Sequence, residues 1–134
     1  MWRAAVACLA AFLSVLAVAA PVSSAPPGPI HASIAPQATL IDEGAAVLVS
    51  VTVSCAGGSD VLEAFVYVTQ DSQQSPFTSV PIRCGGGART YSVRVPAAEG
   101  TVFHAGTASA SAYVLVDKKG NATSASPSQT LTIA

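Results

Sequence analysis

Between residues 45 and 55 apolar and polar side chains alternate with a period of two. Val47, Val49, Val51, Val53 and Cys55 share one phase, and Ser50, Thr52 and Ser54 hold most of the other. This predicts a half-buried strand with Cys55 on the core side. The period recurs along the chain. Ile30, Ala32 and Ile34, followed by Ala38 and Leu40, predict a first strand broken at Pro36, which suits a sheet edge. Residues 61–70 are apolar on both phases and predict a central strand. Val80, Ile82 and Cys84 predict a strand over 78–84 with the second sulfur also facing inward. Tyr91, Val93 and Val95, then Ala108 to Val116 at every second position, then Leu131 and Ile133 complete the series.

Turn-forming clusters separate these runs at 56–60, 70–76, 85–88, 96–100 and 117–121. No stretch carries the 3.6 period of a long amphipathic helix. The expected fold class is therefore all-β: an immunoglobulin-like antiparallel β-sandwich of about seven strands with one internal disulfide. Two antibody hallmarks are missing. There is no core tryptophan, and Ile82 stands where a tyrosine would precede the second cysteine by two.

The N-terminus changes the composition of the working protein. Arg3 precedes an uncharged stretch from Ala4 to Ala20, with Leu9, Phe12, Leu13, Val15 and Leu16 at its centre and small residues after it. Residues 1–24 are expected to be a secretory signal peptide, cut before Ala25 or alternatively before Ala20. The stretch falls short of the about 20 apolar residues of a membrane span. Residues 25–29 form a proline-rich entry segment, and 30–134 the sandwich domain.

Cleavage would remove Met1, Trp2, Cys8 and Arg3. Of six Lys and Arg, five would then remain against seven Asp and Glu. That balance excludes a basic nucleic-acid binder and a polybasic membrane-surface binder. With no further apolar span, no membrane attachment is expected after cleavage. Cys55 and Cys84 are the only cysteines left, and an even count in an exported chain implies that they pair. Neither belongs to a C-x-x-C motif, and no histidine lies near them in sequence, so a redox or metal role is not expected.

Candidate chemistry is sparse, and no enzyme is expected. After residue 24 the chain has two histidines, His31 near the entry segment and His104 in Phe103-His104-Ala105-Gly106. No G-x-S-x-G elbow is present. Asp42 and Glu43 are adjacent, so on a strand they would point to opposite faces and could not act as a facing pair. Asp60, Asp117 and Asn121 are the only oxygen donors expected to meet at one end, and Lys118 and Lys119 oppose a cation there. No cofactor and no metal are expected. Asn121-Ala122-Thr123 is an N-glycosylation sequon in a turn.

If consecutive strands are antiparallel, the turns at 56–60, 85–88 and 117–121 gather at one end. Those at 42–45, 70–77 and 96–106 gather at the other. The second end would carry Gln70, Asp71, Gln73, Gln74, Phe77, Phe103 and His104, polar groups with two aromatics on long loops. They are the candidate recognition residues. Phe65 and Tyr67 lie opposite the phase of Val66 and Val68, so one of these sets either forms an exposed stripe or packs under a neighbouring sheet.

V-T-V-S-C (51–55), Gln70, C-G-G (84–86), the Tyr91-x-Val93-x-Val95 strand and Phe103-His104-Ala105-Gly106 together resemble a group of small secreted actinobacterial proteins of unknown function. The resemblance spans roughly residues 30–134 and implies export and an immunoglobulin-like sandwich, but no activity. The mature length and the V-T-V-S-C strand are also similar to bacterial subtilisin inhibitors. Apoproteins that carry enediyne chromophores are sandwiches of this size. Both usually need two disulfides.

The expected function is a secreted, non-enzymatic binding or structural module, its partner an extracellular or envelope protein or a glycan. The alternative is a secreted protease inhibitor presenting 70–77 or 96–106 as a substrate-like loop. A small enzyme using His104 is a third reading.

Overall fold

The valines of the first alternating run sit on one side of a strand and are sealed from solvent, while the serines and threonine between them are half-exposed. The structure is a computed structural model and describes residues 30–134. The expected signal peptide and entry segment lie outside the described residues. Among the described residues ten strands occur: β1 (Ile30–Ile34), β2 (Gln37–Ile41), β3 (Ala46–Cys55), β4 (Asp60–Gln70) and β5 (Gln73–Gln74), then β6 (Thr78–Ser79), β7 (Arg89–Pro96), β8 (Gly106–Lys118), β9 (Asn121–Ala125) and β10 (Ser128–Ile133). Among the described residues there is no regular helix; the 3-10 turn at Asp42–Gly44 has left-handed φ at all three residues (52°, 55° and 89°).

The strands form two layers. In the first, β3 is central. It pairs with β7 on one side, and on the other with β1 and β2 in succession. In the second, β8 is central. It pairs with β4 on one side, and on the other with β9 and β10 in succession. The short strands β5 and β6 line the outer edge of β4. β2 joins the layers: its first residues run parallel to β10, with Gln37 opposite Thr132 and Ala38 opposite Ile133, and its last three, Thr39 to Ile41, pair with β3. The inward side chains of both layers make one core. Val47, Val49, Val66, Val95 and Leu131 are fully enclosed in it, each burial worth about 1.5–3 kcal/mol.

Three expectations need correction. The sheet is mixed, because the β2–β10 pair is parallel. The break at Pro36 lets the first strand leave β3 and reach β10, and the Pro36 carbonyl accepts from Thr132 N–H at 2.8 Å. Second, 78–84 is not a strand beyond Thr78–Ser79. Val80 and Ile82 are buried, so the alternation is real. But Pro81 has no N–H, and the Ile82 N–H turns back to the Val80 carbonyl at 2.8 Å instead of joining a ladder. Third, 121–125 is a strand without apolar alternation, held by backbone pairing to β8 and split from β10 at Ser126-Pro127. Merging β1 with β2 and β9 with β10 recovers six of the seven expected runs, and of the run over 78–84 only β6 remains as strand.

Cys55 and Cys84 form the disulfide, with Cα atoms 4.8 Å apart. Since 80–88 is not a strand, the bond ties the end of β3 to the crossover from β6 to β7 rather than spanning two strands. The Gly85 N–H bonds the Cys55 carbonyl at 2.9 Å and reinforces the tie.

Candidate functional site

At the end of β4 a two-residue turn, Asp71-Ser72, reverses the chain, with both residues at positive φ (51° and 65°) and Gln70 paired to Gln73. That is the geometry whose twist matches a hairpin. It aims the Asp71 carboxylate along the end of the second layer, where its Oδ2 meets Nε2 of His104 at 2.5 Å. The other ring nitrogen, Nδ1, lies 2.9 Å from the Ala105 carbonyl. A carbonyl and a carboxylate only accept, so the doubly protonated ring satisfies both contacts. The Asp71 hydrogen bond, helped by the Ala105 contact and the nearby negative charge, holds the His104 pKa above its ordinary value.

Gln70 is the buried member of this group, at 5% exposure. Its Oε1 accepts from the His104 N–H at 3.0 Å, and its Nε2 donates to the carbonyls of His104 at 2.9 Å and Thr107 at 3.3 Å. It thus works as a clamp on the segment entering β8, and its side chain faces protein rather than solvent.

The loops at 42–45 and 96–106 lie together. The Phe103 N–H donates to the Gly44 carbonyl at 2.7 Å, and the Ala97 N–H to the Ala45 carbonyl at 2.8 Å. The Phe103 ring is buried in the core and is not available to a ligand. Asp42 lies in the 3-10 turn rather than a strand, and its Oδ2 accepts from Arg94 Nε and Nη2 at 3.1 and 2.9 Å.

The candidate recognition residues therefore divide. Gln70, Asp71 and His104 come together. Gln73 and Gln74 are exposed on edge strand β5. Phe77 is elsewhere: it leaves the loop end and lies on the outward face of the second layer, 61% exposed. Its ring stacks on Phe65 with centroids 4.7 Å apart and tilts against Tyr67 at 5.1 Å. Phe65 in turn meets Tyr113 of β8 at 5.6 Å. Of the two phases of β4, Val66 and Val68 face the core, so the exposed stripe belongs to Phe65 and Tyr67.

Between this aromatic ridge and Ser111 and Ser128 lies an open groove of about 330 Å³. Its size is at the lower end of ligand sites, about 300–1,000 Å³. Ser111 and Ser128 stand opposite each other on β8 and β10, their hydroxyl oxygens 3.1 Å apart. The signal for this site was present in the sequence as the Phe65/Tyr67 phase. What could not be read there was that Phe77 would fold back over it.

Both loops offered for protease inhibition carry internal hydrogen bonds. In 70–77, Ser75 is buried and its hydroxyl accepts from the Val68 N–H at 2.8 Å. In 96–106, a turn closes from the Thr101 N–H to the Ala98 carbonyl at 2.9 Å, with Gly100 at φ +78°.

Among the described residues no three His, Cys, Asp or Glu side chains are grouped to hold a metal, and both cysteines are in the disulfide. Both ring nitrogens of His104 are engaged within the protein, Nε2 by the Asp71 carboxylate and Nδ1 by the Ala105 carbonyl. Among the described residues no helix is long and apolar enough to cross a membrane. No protein-family model matches the chain, and no curated protein matches it.

Proposed function

We propose that the chain is a secreted, non-enzymatic recognition module, exported by the 1–24 signal and built on an immunoglobulin-like sandwich. The layering supports that type: β1/β2, β3 and β7 in one layer and β4, β8 and β9/β10 in the other, with the first strand split between them. The disulfide fits an oxidising compartment. The resemblance to small actinobacterial secreted proteins points the same way.

The observation that carries the reading is the aromatic ridge. Three rings meet on the outward face of a pleated layer, and the outermost, Phe77, is 61% exposed. A ring this exposed gains for folding only its contacts with Phe65 and Tyr67, whereas on a rigid face its open surface is a preorganised contact.

The test is a pull-down with the purified exported protein as bait, against culture supernatant and solubilised envelope of the organism that makes it. A second bait, reduced and alkylated at Cys55 and Cys84, is the unfolded control. A partner retained only by the intact bait is expected. Identical background on both baits would remove the recognition reading and leave a passive structural one.

A further inference from the structure

We infer that the groove beside Phe77 is a binding site for a neutral, β-linked pyranose glycan. The inference rests on the recognition-module reading and names its ligand class.

Three features of the second layer's outward face carry it. The first is the ridge of Phe65, Tyr67 and Phe77, with Tyr113 beside it, which offers flat π surface in partial contact with water. A β-linked pyranose presents a face of axial C–H groups that packs on such a surface. The second is the opposite wall. Ser111 and Ser128 use one donor and one acceptor on each other, so the pair keeps a hydroxyl proton and acceptor lone pairs for a ligand. A sugar hydroxyl is also donor and acceptor at once, and it needs such a partner. Third, the face has no charge. Outward positions of β4 from Phe65 to Thr69, of β8 from Thr107 to Leu115, and of β10 from Ser128 to Thr132 carry only aromatic, aliphatic and hydroxyl side chains. The charged groups stand off its ends, at Glu63, Asp71 and Asp117.

That pattern separates the occupants. A charged polymer or an acidic or basic peptide finds nothing to pair with. A protein interface of standard size buries about 800 Å² per partner around an apolar centre. Here the centre is a groove flanked by hydroxyls. A neutral glycan matches both walls, and its length can follow the row of hydroxyls along β8 and β10.

The test uses the full exported protein, ¹⁵N-labelled, titrated separately with cellohexaose, xylohexaose and chitohexaose and followed by NMR. At least one is expected to bind, with shift changes confined to Phe77, its chain neighbours and the outward residues of β4, β8 and β10. Phe77→Ala and Tyr67→Ala should each weaken binding about tenfold, as expected for loss of an aromatic stacking contact. Phe77→Ala should stay folded and lower the melting temperature only modestly, by the loss of the contacts with Phe65 and Tyr67. Phe77→Trp should retain binding, and His104→Ala should not affect it. Raising salt from about 0.1 M to about 1 M, which shrinks the Debye length from about 10 Å to about 3 Å, should not weaken it.

Absence of shifts with all three sugars overturns the assignment. So do shifts confined to the Gln70–His104 end, unchanged affinity in Phe77→Ala, or a concentration-dependent dimer that Phe77→Ala abolishes. If no sugar binds but the intact bait still captures a partner, the glycan assignment falls and the recognition module stands. If capture is absent as well, both fall.

Discussion

Gln70 holds the backbone of His104 from both sides, accepting its N–H at 3.0 Å and donating to its carbonyl at 2.9 Å. One buried amide thereby joins the end of β4 to the segment that starts β8. The residue has the look of a binding group in sequence, at a turn among polar neighbours, but its hydrogen bonds are spent inside the protein.

Gln70→Met keeps the volume and removes all three hydrogen bonds. Of the three groups left without the amide, those on exposed His104 and Thr107 that water reaches lose little, and one that it cannot reach costs about 1–3 kcal/mol. We expect a loss in urea denaturation within that range, and faster amide exchange at His104. Glycan titration should be unaffected, because Gln70 does not line the groove.

The His104–Asp71 contact makes a weak pH signature. The folded pKa of His104 is raised, so its contribution is fully present below the unfolded value of about 6.5. It is lost as pH rises through the raised folded value. The side chains are 56% and 70% exposed, so solvent screens the pair and the change in stability is small. The ring titration itself is the better readout. Asp71→Asn should bring the NMR-measured His104 pKa back toward about 6.5. An unmoved midpoint would mean that the contact does not persist in solution.

Gly44 and Gly100 both have positive φ, +89° and +78°, yet they should differ sharply as alanines. At Gly44 a Cβ would lie 2.4 Å from the Phe103 carbonyl oxygen, whereas at Gly100 it meets nothing within 4 Å. Gly100→Ala should cost about 1–2 kcal/mol, the left-handed penalty alone. Gly44→Ala adds overpacking of about 1–3 kcal/mol. Paired thermal melts check the ranking.

Reducing Cys55–Cys84 opens a loop with a sequence separation of 29. In the chain-entropy model this removes about 3–4 kcal/mol. A Cys55→Ser/Cys84→Ser chain should melt well below the oxidised protein. Equal melting temperatures would show that the crossover is held by Val80, Ile82 and the Gly85–Cys55 backbone bond without the bridge.

The two-residue period was enough to place most of the layers. β3, β7 and β8 lie where alternation put them, because each has one face on the core and one in water, and burial enforces that phase. The cysteine pairing was legible too, since only two cysteines follow the expected signal segment. β9 left no trace because an edge strand held by backbone bonds needs no apolar side chains. At 78–84 the pattern reported burial correctly and pairing wrongly: burial depends on side chains, but a ladder needs an N–H that Pro81 lacks.

The candidate site shows the same division more sharply. Residue type and local turns told that Gln70, Asp71, Phe77, Phe103 and His104 lie near strand ends. They did not tell which of these face solvent, because that depends on partners far away along the chain. Phe103 went inward with its N–H on Gly44, Gln70 was consumed by His104, and Phe77 turned onto Phe65 and Tyr67. Strand phase is a local property, settled by each side chain's preference for core or water. The aromatic groove is a non-local one: β4, β8 and β10 had to be laid side by side before four rings and two serines could share a face.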